Sequence, residues 1–112
     1  MIEKYVKQVS KKQRTSQEFR INAQIGEYDI DNIVLDLGFD VNVMSKRTWE
    51  IMGKPKLVWS PIALKMANQQ KIIPFGRFES AWIDIEGVRS TTTFEVIEIV
   101  DGNVPYPTLL GL

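Results

Sequence analysis

Apolar residues recur at every second position along this chain, in short runs, and that period limits the folds open to it. Phe19, Ile21, Ala23 and Ile25 alternate with Arg20, Asn22 and Gln24. Ile62, Leu64 and Met66 alternate with Ala63 and Lys65, and Ala81, Ile83 and Ile85 alternate with Trp82, Asp84 and Glu86. A period of two places one face of an extended strand on a core and the other in water. Turn formers separate the runs: Gly26-Glu27-Tyr28-Asp29, Glu86-Gly87 and Asp101-Gly102-Asn103. Ile30 to Leu35 returns from the first turn as a second strand, and Ile72-Ile73-Pro74-Phe75-Gly76 resumes the pattern after Ala67-Asn68-Gln69-Gln70-Lys71. Thr91 to Val100 is rich in β-branched and aromatic residues and reads as a further strand. Pro105-Tyr106-Pro107 holds the chain extended, and Thr108-Leu109-Leu110-Gly111 closes it. Many short strands with tight turns predict an all-β fold, a small closed β-barrel or a sandwich.

One segment departs from the period. Ser45 stands at an N-cap position, Gly53 at a C′ position, and Trp49 and Met52 fall three apart on one face between them. The spacing predicts one short helix, stopped by Gly53-Lys54-Pro55.

The chain has 112 residues, 44% of them hydrophobic, which suits one globular domain with a modest core. Its 14 basic and 14 acidic residues cancel, so nothing global points to nucleic acid. The charge is uneven at the start, where Lys4, Lys7, Lys11, Lys12 and Arg14 stand against Glu3. Residues 1–18 therefore read as a basic tail or edge strand, and residues 19–112 as the domain proper. No apolar run approaches membrane-spanning length and no secretory signal is visible. Cysteine and histidine are both absent. That excludes disulfides, thiol nucleophiles, histidine triads and the usual zinc sites, and no cofactor or metal is implied. It also fits an intracellular, cytoplasmic protein. The groups left for acid–base chemistry are Asp, Glu, Lys and Tyr.

Among these, Asp36 has the most unusual setting. Ile33-Val34-Leu35 reads as a buried strand end, Asp36 follows at once, and Gly38 breaks the strand. A carboxylate at the mouth of a buried strand is costly to ionise without a partner. Asp40-Val41-Asn42-Val43 then leads into another strand. Taken by itself, Asp36 also suits a turn residue capping local backbone amides.

The block resembles the active-site loop of the retropepsins, the aspartic proteases of retroviruses and retrotransposons, whose pattern is two apolar residues, Asp, Thr or Ser, Gly, and Ala or Ser. Two further segments carry the resemblance, in the family's order. Lys65 to Arg77 lies where the family places its flap, a mobile hairpin over the substrate, and Leu109-Leu110-Gly111 is similar to the strand packed behind the active-site loop. The resemblance covers about Phe19 to Leu112, and Asp40-Val41-Asn42-Val43 is most similar to plant gypsy-class retrotransposon polyproteins.

The resemblance implies a retropepsin-type β-barrel and an aspartic endopeptidase that processes a polyprotein as a homodimer. Asp36 of each chain would meet its copy on a two-fold axis and activate a water between them. It makes Leu37, Gly38 and Phe39 the active-site loop, and Asp40, Ala67, Asn68, Gln69 and Gln70 the substrate-binding residues. On the residues alone, Asp40 also fits a solvated loop carboxylate, and Asn68-Gln69-Gln70 an ordinary hairpin turn without the glycines of viral flaps. Trp49, Trp59 and Trp82 are read as core or groove packing, and Asp84 and Glu86 as a solvated strand face.

The loop departs from the family at two positions. Leu37 stands where the family's hydroxyl bonds across the dimer axis, and it can neither donate nor accept that bond. Any backbone partner left buried and unsatisfied would cost about 1–3 kcal/mol. Phe39 adds bulk where the family keeps a small residue beside substrate. Relatives also continue past the apolar-apolar-Gly element into a helix and, in viral members, an interface strand, whereas this sequence stops at Leu112. The expectation is a weak homodimer lying toward monomer at micromolar protein, the basic segment adding repulsion between copies at low salt. The alternative function is a catalytically degenerate domain of the same fold that acts as a dimerisation or protein-binding module. A third reading is an unrelated small barrel in which Asp36-Leu37-Gly38 is only a turn.

Overall fold

A computed structural model describes the backbone of residues 5–8 and, in full, residues 19–36, 41–65, 71–98 and 108–111. The strands in chain order are β1 (Tyr5–Gln8), β2 (Phe19–Ile25), β3 (Tyr28–Asp36), β4 (Asn42–Ser45), β5 (Ile62–Lys65), β6 (Lys71–Ile72), β7 (Gly76–Ile85), β8 (Val88–Ile97) and β9 (Leu109–Gly111). One helix, α1 (Lys46–Ile51), follows β4. Six strands close a barrel in the order β2-β3-β9-β4-β8-β7, and β1-β5-β6 form a separate three-stranded sheet.

Two tight hairpins account for the longest pairings. Ile25 pairs with Tyr28 across Gly26-Glu27, and Gly26 takes φ +59°, the positive value that the first central residue of a type II′ turn needs. Ile85 pairs with Val88 across Glu86-Gly87, both with positive φ, as a type I′ turn requires. β8 therefore begins at Val88, ahead of the Thr91 that composition suggests, because the turn needs only two residues. Pro74 lacks an amide hydrogen, and the strand predicted over 72–76 divides around it into β6 and β7.

The helix ends follow the side-chain chemistry. Ser45 Oγ accepts from the Thr48 amide at 3.1 Å. At the other end Gly53, at φ +85°, donates to the Glu50 carbonyl, and the Lys54 amide donates to the Trp49 carbonyl, the paired bonds of a Schellman ending. Trp49 and Met52 are buried, and Trp49 Nε1 donates to the Pro55 carbonyl at 2.7 Å.

Alternation divides the apolar side chains between two cores. Ile33, Met44, Phe94, Val96 and Leu110 fill the barrel with Ala23, Ile25, Ala81, Ile83 and the helix residues. Val34, Val43, Ile97 and Leu109 point to the opposite face and pack with Ile62, Leu64 and Ile72 of the second sheet. β3, β9 and β4 are thus covered on both faces near Asp36, which is why Ile33-Val34-Leu35, Val43-Met44 and Leu109-Leu110 are consecutive apolar residues. No helix among the described residues is long and apolar enough to cross a membrane.

Trp59 and Trp82 differ from the packing role read for them. They are 58% and 60% exposed, Trp82 because its position on β7 faces away from the barrel interior. Phe94 is fully buried in the barrel core. Phe94→Ala should lower unfolding free energy by about 3–5 kcal/mol in urea titration, the usual range for a large side chain removed from a packed core.

Candidate functional site

Asp36 is the last residue of β3 and only 9% exposed. β3 runs parallel to β9, with Val34 opposite Leu109, Leu35 opposite Leu110 and Asp36 opposite Gly111. The carboxylate-bearing end of β3 is therefore backed by a strand of three residues. β9 is held from its other side by β4, through an antiparallel pairing of Val43 with Leu109.

Asn42, at the start of β4, joins these strands. Its Oδ1 accepts from the Gly111 amide at 2.8 Å. Its Nδ2 donates to Thr92 Oγ1 at 2.6 Å and to the Thr93 carbonyl at 3.0 Å. One side chain thus fixes the strand beside Asp36 to β8 across the width of β4. Sequence reasoning assigned Asn42 no role; the available signal was a polar amide at the first position of a strand otherwise apolar through Val43 and Met44.

A second polar group lies on the outer face of β7 and β8. Arg77 and Glu95 are directly opposite each other, and Arg77 Nε donates to Glu95 Oε2 at 2.7 Å. Ser60 Oγ donates to the other carboxylate oxygen at 2.5 Å and accepts weakly from the Ile62 amide at 3.4 Å. Glu95 is 3% exposed, and both of its carboxylate oxygens are engaged, as a buried polar group requires. Arg77 and Glu95 border a pocket of about 460 Å³ together with Val41, Asn42, Ile62, Thr92 and Thr93. Val41 and Asn42, on the border of this pocket, follow residues 37–40 directly in the sequence.

Leu37, Gly38, Phe39, Asp40, Ala67, Asn68, Gln69 and Gln70 lie outside the described residues. The hairpin stem that carries residues 66–70 is described: β5 and β6 pair antiparallel through Leu64 with Ile72 and Lys65 with Lys71. β1 pairs in parallel along the other edge of β5. Asp84 accepts from the Gly87 amide at 2.8 Å and from Arg89 Nε at 3.1 Å, a local turn contact. No group of His, Cys, Asp or Glu among the described residues is arranged to hold a metal ion. A second cavity, about 380 Å³, sits at the hairpin end of the barrel, lined by Glu27, Trp82 and Arg89 among others. It is at the opposite end of β3 from Asp36 and contains none of the site residues.

The retroviral protease-like domain of Ddi1 from Leishmania major has a similar structure, with a TM-score of 0.59 over 87% of this chain and 74% of that one. Sequence identity is 20%, so the likeness bears on the fold. No family model and no curated protein sequence matches this chain. The fold is that of a retropepsin-like domain: a closed six-strand barrel with one short helix.

Asn42→Ala would leave the Gly111 amide and the Thr93 carbonyl without their partner. The expected loss is about 1–3 kcal/mol in urea unfolding. Amide hydrogen exchange at Gly111 should rise above the level that this loss of global stability explains; an unchanged rate would show that Asn42 does not hold β9.

Proposed function

We propose that the chain is an aspartic endopeptidase of the retropepsin type, acting as a homodimer on an extended peptide such as a segment of a retrotransposon polyprotein. The observation that carries this reading is the place of Asp36 at the buried end of a barrel strand, backed by Leu109-Leu110-Gly111, in a fold shared with a retroviral protease-like domain. A single chain supplies a single Asp-x-Gly of this setting, so two copies are needed to bring two carboxylates to one water. Like charges that close do not both ionise, and the pair holds one proton between them. The ionised carboxylate takes a proton from the water as its oxygen bonds to the peptide carbonyl carbon. The protonated carboxylate gives its proton to the carbonyl oxygen, and the tetrahedral diol that results breaks its C–N bond as the nitrogen is protonated. The absence of cysteine fits work in a reducing, cytoplasmic compartment.

A second reading is favoured by one specific observation, the residues Leu37 and Phe39 in the loop. Without a hydroxyl at position 37 the two loops lose the bond that would orient their carboxylates, and small losses of alignment cost large factors in rate. On this reading the barrel is a dimerisation or protein-binding module that has kept Asp36 without its chemistry.

Cleavage of an apolar peptide library at mildly acid pH separates the two. On the enzyme reading, turnover is blocked by a statin-type inhibitor and is abolished by Asp36→Asn; activity that survives that substitution rejects it. On the module reading the chain is inert, and Leu37→Ser with Phe39→Ser creates activity.

Dimerisation is tested separately. Leu37 removes a cross-axis bond and the Lys-rich segment repels its copy, so sedimentation should find mainly monomer at micromolar protein. In that regime activity rises with the square of total concentration. A tight dimer at nanomolar protein overturns this expectation.

A further inference from the structure

We propose that the pocket bordered by Arg77, Asn42, Thr92 and Thr93 binds the carboxylate of an acidic side chain, Asp or Glu, in an extended peptide, with the Arg77 guanidinium as the recognising group. The inference rests on the reading that the chain takes a peptide past Asp36, and adds what that peptide must carry.

The hydrogen-bond inventory of the pocket points to a carboxylate. Arg77 uses Nε on Glu95, and its two terminal nitrogens make no hydrogen bond among the described residues. Those nitrogens carry four N–H donors in a fixed plane, the arrangement that engages a carboxylate in two parallel bonds. Thr92 Oγ1 already accepts from Asn42, so its hydroxyl proton is left to donate. The amide and carboxylate acceptors are each engaged: Asn42 Oδ1 by the Gly111 amide, and the two Glu95 oxygens by Ser60 and Arg77. A pocket with spare donors and engaged acceptors selects an acceptor-only ligand, and an ionised carboxylate is the side chain of that kind.

The site is also rigid. Glu95 is buried and clamped on both oxygens, and it holds the guanidinium by Nε against the face of β8. Arg77 itself keeps 24% of its side chain exposed, so its outer edge can be reached. A guanidinium held in this way loses little freedom when a ligand arrives. The incoming charge meets an ion pair that is already neutral in sum, and the bridging cation then lies between two carboxylates.

Position ties the pocket to the peptide path. Asp36 is opposite Gly111, and Gly111 is bonded to Asn42, which lines the pocket. Two strand spacings of about 4.8 Å separate Asp36 from Asn42, on the order of 10 Å. An extended peptide advances about 3.3 Å per residue, so the acidic residue should stand roughly three positions from the bond facing Asp36.

The test is a titration of the full chain, at neutral pH, with a blocked apolar octapeptide bearing Glu three residues from its centre, and with its Gln isostere. Amide shifts and affinities are read by NMR. The Glu peptide is expected to bind at least tenfold more tightly than the Gln peptide, with shifts at Asn42, Thr92 and Thr93. Because Arg77→Gln alone strands a buried carboxylate, the comparison protein is the double variant Arg77→Gln with Glu95→Gln, in which the preference for the Glu peptide over the Gln peptide should fall below twofold. Equal affinity for the two peptides, a preference that survives the double variant, or no shift at these amides overturns the inference. So does N-acetylglutamate binding as tightly as the peptide, which would mark a small-acid site. Failure of the peptidase reading has a different signature: acid preference present in binding, with no cleavage at any protein concentration.

Discussion

Closure of the barrel depends on three residues. β9 is the only strand between β3 and β4 in the closed order, parallel to the first and antiparallel to the second. Leu109 and Leu110 lie in different cores, one under the second sheet and one inside the barrel, so the strand is gripped from both faces. A strand this short offers few ladder bonds, and the Asn42 contact to Gly111 supplies one more at the end where pairing runs out. Everything proposed for Asp36 presumes that this edge is sealed, because an open edge would leave the end of β3 free to fray and expose its backbone to other strands.

The polar groups near Asp36 are few and each is tied to a specific neighbour. Asn42 spends all three of its bonds on neighbouring strands, and Glu95 spends both oxygens within the protein. In an environment covered on both faces this is the condition under which polar side chains are tolerated. The result is a frame whose side-chain bonds run between β4, β7, β8, β9 and Ser60. None of these bonds involves Asp36 or the residues that follow it as far as Val41.

The barrel could be read from the chain because its signals are local. Gly26-Glu27 and Glu86-Gly87 fix two hairpins by turn chemistry, Ser45 and Gly53 bound the helix by capping, and the alternating runs assign faces. What lay beyond reach depended on contacts between distant residues. Counted outward from the Glu86-Gly87 turn, Arg77 would face Val96; a register shift between Phe78 and Ala81, where Ser80 takes a positive φ, puts it opposite Glu95 instead. One residue of slip changes which face a side chain occupies, so the ion pair was invisible without the bulge. The parallel pairing of β1 with β5 was hidden for a similar reason, since no turn links the two strands. Asp36 was conspicuous in the sequence by contrast, because a carboxylate after three apolar residues and two positions before a glycine is anomalous without knowledge of any partner.

The order of strands in the barrel has a further consequence, for folding. β9 follows every other described strand in the chain, yet it must enter between β3 and β4. Until it does, the facing edges of β3 and β4 have no partner in the barrel. Contacts between residues this far apart in sequence form slowly, and the interval before they form is when exposed edges find the wrong partner. Joining β9 to β3 and β4 is therefore the pairing in this barrel that local signals help least.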